Sequence, residues 1–177
     1  HEGWACYHTD LIVFDLPGVP HPVGAIGRAV GAPFAVLLAE QFFASGGETL
    51  VSITSSGRIA EGLPPGPHFV LIESALRDEG TSHHYAPPAA FADAPDAALI
   101  ARVAARAADE VPDITVRRGA TWTTDAPFRE TEAAIAAARE AGCLAVEMEA
   151  AALYTFAAVA QRRVLCIAHV TNSMAQD

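Results

Sequence analysis

Between Asp10 and Thr171 the chain alternates apolar runs of strand length with alanine-rich segments of helix length, and no other feature limits the fold as strongly. The strand-like runs are DLIVFDL (Asp10 to Leu16), PVGAIG (Pro22 to Gly27), TLVSIT (Thr49 to Thr54), HFVLIES (His68 to Ser74), DITVRRGAT (Asp113 to Thr121), CLAVEM (Cys143 to Met148) and VLCIAHVT (Val164 to Thr171). Four helices are expected between them. The first, Pro33 to Ser45, begins on a proline, whose missing N–H would be unpaired in a first turn anyway, and stops before Gly46-Gly47. The second, Asp96 to Glu110, turns Leu99, Val103 and Ala107 inward, and the third, Arg129 to Gly142, has a polar face and ends at glycine. The fourth, Glu149 to Gln161, is apolar all round and reads as buried. Strands alternating with helices imply an α/β fold with a largely parallel sheet covered on both faces. Ligands in such folds bind beyond the carboxyl ends of the strands. Three of those ends carry reactive or polar residues: Thr54 to Gly57, Glu147 to Glu149 and His169 to Ser173.

Composition narrows the function. A chain of 177 residues, 51% hydrophobic, suits one domain with a real core, and residues 1–177 are read as that single domain. The net charge of −10 arises from acids set against arginines alone, since the chain has no lysine, and it argues against nucleic-acid and anionic-membrane partners. No apolar stretch reaches the roughly 20 residues of a membrane helix and no signal peptide is recognisable, so a soluble, cytoplasmic protein is expected. Cys6, Cys143 and Cys166 lack paired or CxxC spacing, which fits reduced thiols better than disulfides or zinc. Adjacent histidines His83 and His84, if on a strand, face opposite sides, and no metal is assigned.

The segment GCLAVEMEAAALYTFAAVA, Gly142 to Ala160, holds only two charged residues, Glu147 and Glu149. Desolvating an unpaired carboxylate costs several kcal/mol, so each acid needs solvent, a partner or a ligand. If the strand continues through Glu149, both acids share one face and Met148 takes the other. If the helix has begun, they diverge by about 200°. In either case Glu149 stands at a helix N-terminus, where a capping role and a binding role both remain open.

AVEMEAAALYTFA resembles the signature of the nucleoside phosphorylase and uridine phosphorylase superfamily, which also contains nucleosidases. Four further segments resemble that family in its order along the chain: VGAPFAVLLAEQFFASGGETLVSITSSG, DEGTSHHYAPP, TWTTDAPFRET and IAHVTNS. The resemblance implies a three-layer α/β/α fold around a mixed, largely parallel sheet, and assembly as a dimer or a trimer of dimers. It also implies that a first strand with its loop and a last helix lie outside this chain.

The same resemblance implies roles for individual residues. Glu149 matches the acid that accepts hydrogen bonds from ribose hydroxyls, Met148 lies against the sugar, and Glu147 shares the sugar or holds the neighbouring backbone. A carboxylate on the hydroxyls favours the positive charge that develops on the sugar as the glycosidic bond breaks. Ser55, Ser56 and Gly57 match the phosphate loop. Ser52 stands where phosphorylases carry arginine, and Thr54 where they carry glycine, which leaves Arg28 or Arg58 to supply the cation; the arginine from a neighbouring subunit is expected near His1 to Trp4, where none is present. Asn172 takes the place of the purine-type aspartate beside the leaving base; like it, Asn can hydrogen-bond, but it is no general acid. Phe128 is the candidate to stack on the base, or else an ordinary core aromatic, with Asp125, Arg129 and Thr131 as polar neighbours. His169, midway along an apolar strand, is expected to be a hydrogen-bonded core residue. The expected activity is phosphorolysis of a nucleoside to base and (deoxy)ribose 1-phosphate, with inorganic phosphate as co-substrate and no cofactor. A hydrolase using water and a non-catalytic nucleoside-binding protein are the competing readings.

Overall fold

The computed structural model describes residue 4, residues 9–62 and residues 68–173. Cys6, His1 to Gly3 and residues 63–67 lie outside the described residues. The first two strands, β1 (Ile12–Phe14) and β2 (Val23–Ala25), pair antiparallel as a separate hairpin. Helix α1 (Ala32–Ala44) follows, with Pro33 in its first turn as expected. The main sheet comprises β3 (Thr49–Arg58), β4 (His68–Asp78), β5 (Phe91–Asp93), β6 (Thr115–Thr124), β7 (Cys143–Glu147) and β8 (Arg163–Ser173). Between them lie α2 (Ala97–Glu110), α3 (Glu132–Glu140) and α4 (Ala150–Ala160). The Asp96 carboxylate accepts the Leu99 N–H (2.8 Å) and the Thr131 hydroxyl oxygen accepts the Ala134 N–H (3.3 Å), which fixes where α2 and α3 begin.

The sheet is mixed, as the resemblance implies. β3–β8, β4–β6 and β6–β7 run parallel, whereas β3–β7, β4–β8 and β4–β5 run antiparallel. Because β4 also pairs with β8, the strands close a ring in the order β4, β6, β7, β3, β8, with β5 on the outside of β4. The sheet against which the helices pack is thus a closed, barrel-like ring. The strands at Thr49, Cys143 and Val164 do share this one sheet, as the sequence implies.

Side-chain alternation divides the core. On β4 and β8, Val70, Ile72, Val164, Cys166 and Ala168 pack with α1 and α4, while Leu71 and Leu165 pack on the other side against Ile100 of α2. Ile100 is the fully buried anchor of α2, with Leu99 and Val103 beside it, so the buried stripe is centred one position further along than expected. α3 closes a smaller cluster of Ile135, Ala138, Trp122, Cys143 and Val146. Every residue of α4 from Ala150 to Ala157 is buried. Its alanines let it lie close to its neighbours, and its position brings Glu149 against the N-terminus of α1. Among the described residues no helix is long and apolar enough to cross a membrane.

Candidate active site

β7 ends at Glu147 and α4 begins at Ala150, so the two acids straddle a strand-to-helix turn. Both are buried, at 3% and 4% exposure. Their partners differ completely. Glu147 Oε2 accepts the N–H groups of Glu149 and Ala150, each at 2.7 Å, and Oε1 accepts the hydroxyls of Thr121 (3.1 Å) and Thr123 (2.5 Å). The Thr123 hydroxyl oxygen in turn accepts the Ala151 N–H at 3.0 Å. Glu147, not Glu149, therefore satisfies the orphan donors of the helix start. Glu149 makes no capping bond. Its Oε1 accepts the Gly31 N–H (2.7 Å) and its Oε2 the Thr54 hydroxyl (2.8 Å), which ties α4 to the start of α1 and to β3.

Glu149 and Thr54 line a cavity of about 290 Å³, walled by Gly24, Ile26 to Ala29, one side of α1, and Thr49 to Thr54 of β3. Arg28 lines the same cavity, in the left-handed backbone region at φ 64°. Gly31 also has a positive φ, 88°, a conformation that suits glycine and from which its N–H reaches Glu149. β3 has a ladder partner on only one edge from Thr49 to Ser56, because β7 joins it only at Gly57 and Arg58. The cavity lies along that strand.

Burial pushes the Glu147 carboxyl up to about 7, against the lowering effect of the Thr123 hydroxyl and the Ala150 and Glu149 amides. A carboxyl raised in the folded state binds its proton more tightly there than in the unfolded chain. Its contribution to stability is therefore fully present below the ordinary carboxyl range, declines as pH rises through about 5 to 7, and is flat above. The decline is at most about 1.4 kcal/mol per pH unit for one group. Glu147→Gln should abolish this component, so denaturant unfolding of parent and variant from pH 5 to 8 should give a difference curve with that sign.

The other expected site residues are only partly brought together. Ser55, Ser56 and Gly57 do not form a loop: β3 continues to Arg58, with Ser55 opposite His169, Ser56 opposite Val170 and Gly57 opposite Asn172. These residues therefore lie on a strand, with a register shift between Ser56 and Gly57, rather than on the loop that the resemblance implies, and that expectation is corrected. Ser55 is exposed; the Ser56 hydroxyl is buried without a partner among the described residues. Arg58 is half-buried at the end of β3 and does not line the cavity. Met148 is half-buried and also lies off the cavity wall. Asn172 is exposed, its Oδ1 accepting the Thr171 hydroxyl at 3.1 Å. Asp125 accepts the Gly80 N–H (2.8 Å) beside a separate groove lined by Pro33, Glu40, His84 and Tyr85. Phe128 is 99% exposed on the short turn Pro127–Arg129, so it is not a core aromatic; Arg129 is exposed next to it. Thr131 caps α3. His83 and His84 lie on a 3-10 turn rather than a strand, and no group of metal-ligating side chains forms among the described residues. His169 is half-buried and stacks on Phe69, with ring centroids 4.5 Å apart.

Thr54, Thr121, Thr123 and the Gly31 amide are the contacts that sequence reasoning missed. The alternation of Thr121 and Thr123 about Trp122, which puts both hydroxyls on one side of β6, is the signal that would have found two of them.

A closed mixed sheet with a buried carboxylate at a strand-to-helix turn defines an α/β protein in which that acid and an arginine line one cavity. The family model for the phosphorylase superfamily matches residues 8–177, and the chain belongs to that superfamily. Among solved structures, uridine phosphorylase from Vibrio fischeri ES114 is similar at 21% identity and a TM-score of 0.81, over 93% of this chain and 66% of that one. The same enzyme complexed with 6-hydroxy-1-naphthoic acid gives 20% identity and a TM-score of 0.83, over 96% and 68%. The chain thus spans about two thirds of the length of these neighbours, and the likeness establishes the shared fold. No curated protein matches it.

Proposed function

We propose that this chain carries the sugar site of an enzyme that cleaves the N-glycosidic bond of a nucleoside, passing the sugar to inorganic phosphate and releasing base and (deoxy)ribose 1-phosphate. The observation that carries this is the Glu149 carboxylate. A carboxylate offers about four lone-pair sites. Gly31 and Thr54 fill two, which leaves about two facing a cavity, the number needed to accept from the two hydroxyls of a sugar diol. The cavity is at the small end of ligand sites, roughly 300 Å³ upward, and suits a sugar. As the bond to the base lengthens, positive charge grows on the ring, and a buried carboxylate fixed by two donors favours it without having to reorganise.

Arg28 is the proposed phosphate cation, since it shares the cavity with Glu149 and Arg58 does not. Phe128, Asp125 and Arg129 are proposed to meet the base, with Asn172 hydrogen-bonding to it, and Met148 to lie against the sugar. Ser55, Ser56 and Gly57 keep a proposed phosphate role only through hydroxyls and single amides. No cofactor is proposed, and the assembly proposed is a cytoplasmic homo-oligomer, a dimer or trimer of dimers. Loss of the anion loop favours a second acceptor, water, in a nucleosidase of the same fold. The two acceptors separate on one experiment. Arg28→Ala should weaken phosphate affinity by roughly tenfold to a hundredfold, the size of one charge-assisted pair, while Arg58→Ala changes it little. Phosphate titrations of initial rates check this. Base release that ignores phosphate in the parent and both variants assigns water as acceptor.

A further inference from the structure

Glu147 is surrounded by donors in a way that decides its role. Four hydrogen bonds, from the Glu149 and Ala150 amides and the Thr121 and Thr123 hydroxyls, occupy the roughly four lone-pair sites of its carboxylate. No acceptor capacity is left for a sugar hydroxyl, and Glu147 does not line the cavity that Glu149 lines. We propose that Glu147 is a positioning residue: it fixes the backbone at Glu149 from β6 and β7, and it does not itself touch the substrate.

The connections are specific. Oε2 spans the amides of Glu149 and Ala150, and Thr123 holds the Ala151 amide, so three consecutive N–H groups at the start of α4 are anchored to two neighbouring strands. Neither of the two peptides flanking the Glu149 Cα can rotate without breaking a 2.7 Å contact. From that fixed Cα the Glu149 side chain reaches Gly31 and Thr54, on two further elements. A displacement of about 1 Å at a group that orients substrate lowers turnover by up to roughly a hundredfold. Releasing Glu147 should therefore act through Glu149 and through nothing else.

This inference rests on the sugar-binding role of Glu149 for its kinetic readout, and a second readout frees it from that role. The kinetic test is a double-mutant cycle with purified full chain and the nucleoside that the parent cleaves fastest. Glu147→Ala removes the acceptor for the two amides and for the two hydroxyls together. It should lower kcat/KM by roughly tenfold to a hundredfold in the parent, and by less than about threefold in the Glu149→Gln background. Equal losses in both backgrounds would mean that Glu147 contacts substrate independently, and would overturn the proposal. Amide hydrogen exchange in the ligand-free protein is the second readout. Exchange at Glu149 and Ala150 should speed up at least about tenfold in Glu147→Ala, relative to unaltered amides elsewhere in α4; unchanged exchange there also overturns the proposal. If the parent cleaves no nucleoside, the proposed function fails and amide exchange alone decides the positioning role. Should Glu147→Ala not fold, Glu147→Asp, one methylene too short to span both amides, enters the same cycle with the same expectations.

Discussion

Glu149→Gln is expected to lower kcat by roughly 10² or more while leaving the fold intact. Gln keeps the length and planarity of the side chain, and its carbonyl can still accept the Gly31 N–H. The Thr54 hydroxyl can turn to accept from the new NH₂ group. What is lost is the negative charge facing the cavity and half of the acceptor capacity directed at it. Both matter most as positive charge develops on the sugar, so the loss should fall on kcat more than on KM. Steady-state kinetics beside thermal melts check this. Full activity in the variant would remove Glu149 from the sugar site. Loss of stability alone would make it a brace between α1, β3 and α4.

The largest effect on stability is expected at Tyr154, which is fully buried. The antiparallel ladder of β4 and β8 runs from His68 opposite Val170 to Leu71 opposite Ile167, and the next pair in register would be Ile72 and Cys166. The Tyr154 hydroxyl enters at that point. It donates to the Ile72 carbonyl at 2.7 Å and accepts the Cys166 N–H at 3.0 Å, bridging the seam where the two strands part. Tyr154→Phe leaves both groups buried and unpaired, at a cost of about 2 kcal/mol or more. Tyr154→Ala adds the cavity of a missing ring, for about 3 to 5 kcal/mol. Denaturant unfolding measures both. A Phe variant as stable as the parent would mean that water or a strand shift replaces the hydroxyl.

How much of this was legible in the sequence depends on the range of the interaction. The helices at Pro33 and Glu149 and the strands at Thr49, Cys143 and Val164 were legible because periodicity, capping residues and glycines act locally. β5 at Phe91 was not, being three residues long and held by β4 and by the core around Ala92 rather than by any local pattern. Closure of the ring was not, because the pairing of β4 with β8 joins residues about a hundred positions apart and leaves no local trace. The site divides in the same way. The demand for partners at Glu147 and Glu149 comes from two acids in an apolar run. Which acid caps the helix depends on threonines of β6 and on Gly31, distant in sequence. Ser55 to Gly57 read as a loop because Ser and Gly break strands on average, yet the ladder to β8 extends β3 through them, with a register shift at Ser56 and Gly57.

The cavity beside Glu149 and Arg28 is proposed to be where a nucleoside's sugar passes to phosphate. The most direct test is to incubate the protein with a panel of purine and pyrimidine nucleosides, with and without inorganic phosphate, and to quantify free base and sugar 1-phosphate together. Base and sugar 1-phosphate should appear in equal amounts, and only when phosphate is present. Base released at the same rate without phosphate, as free sugar, would contradict the choice of acceptor, and no base from any nucleoside under either condition would contradict the sugar-transfer role itself.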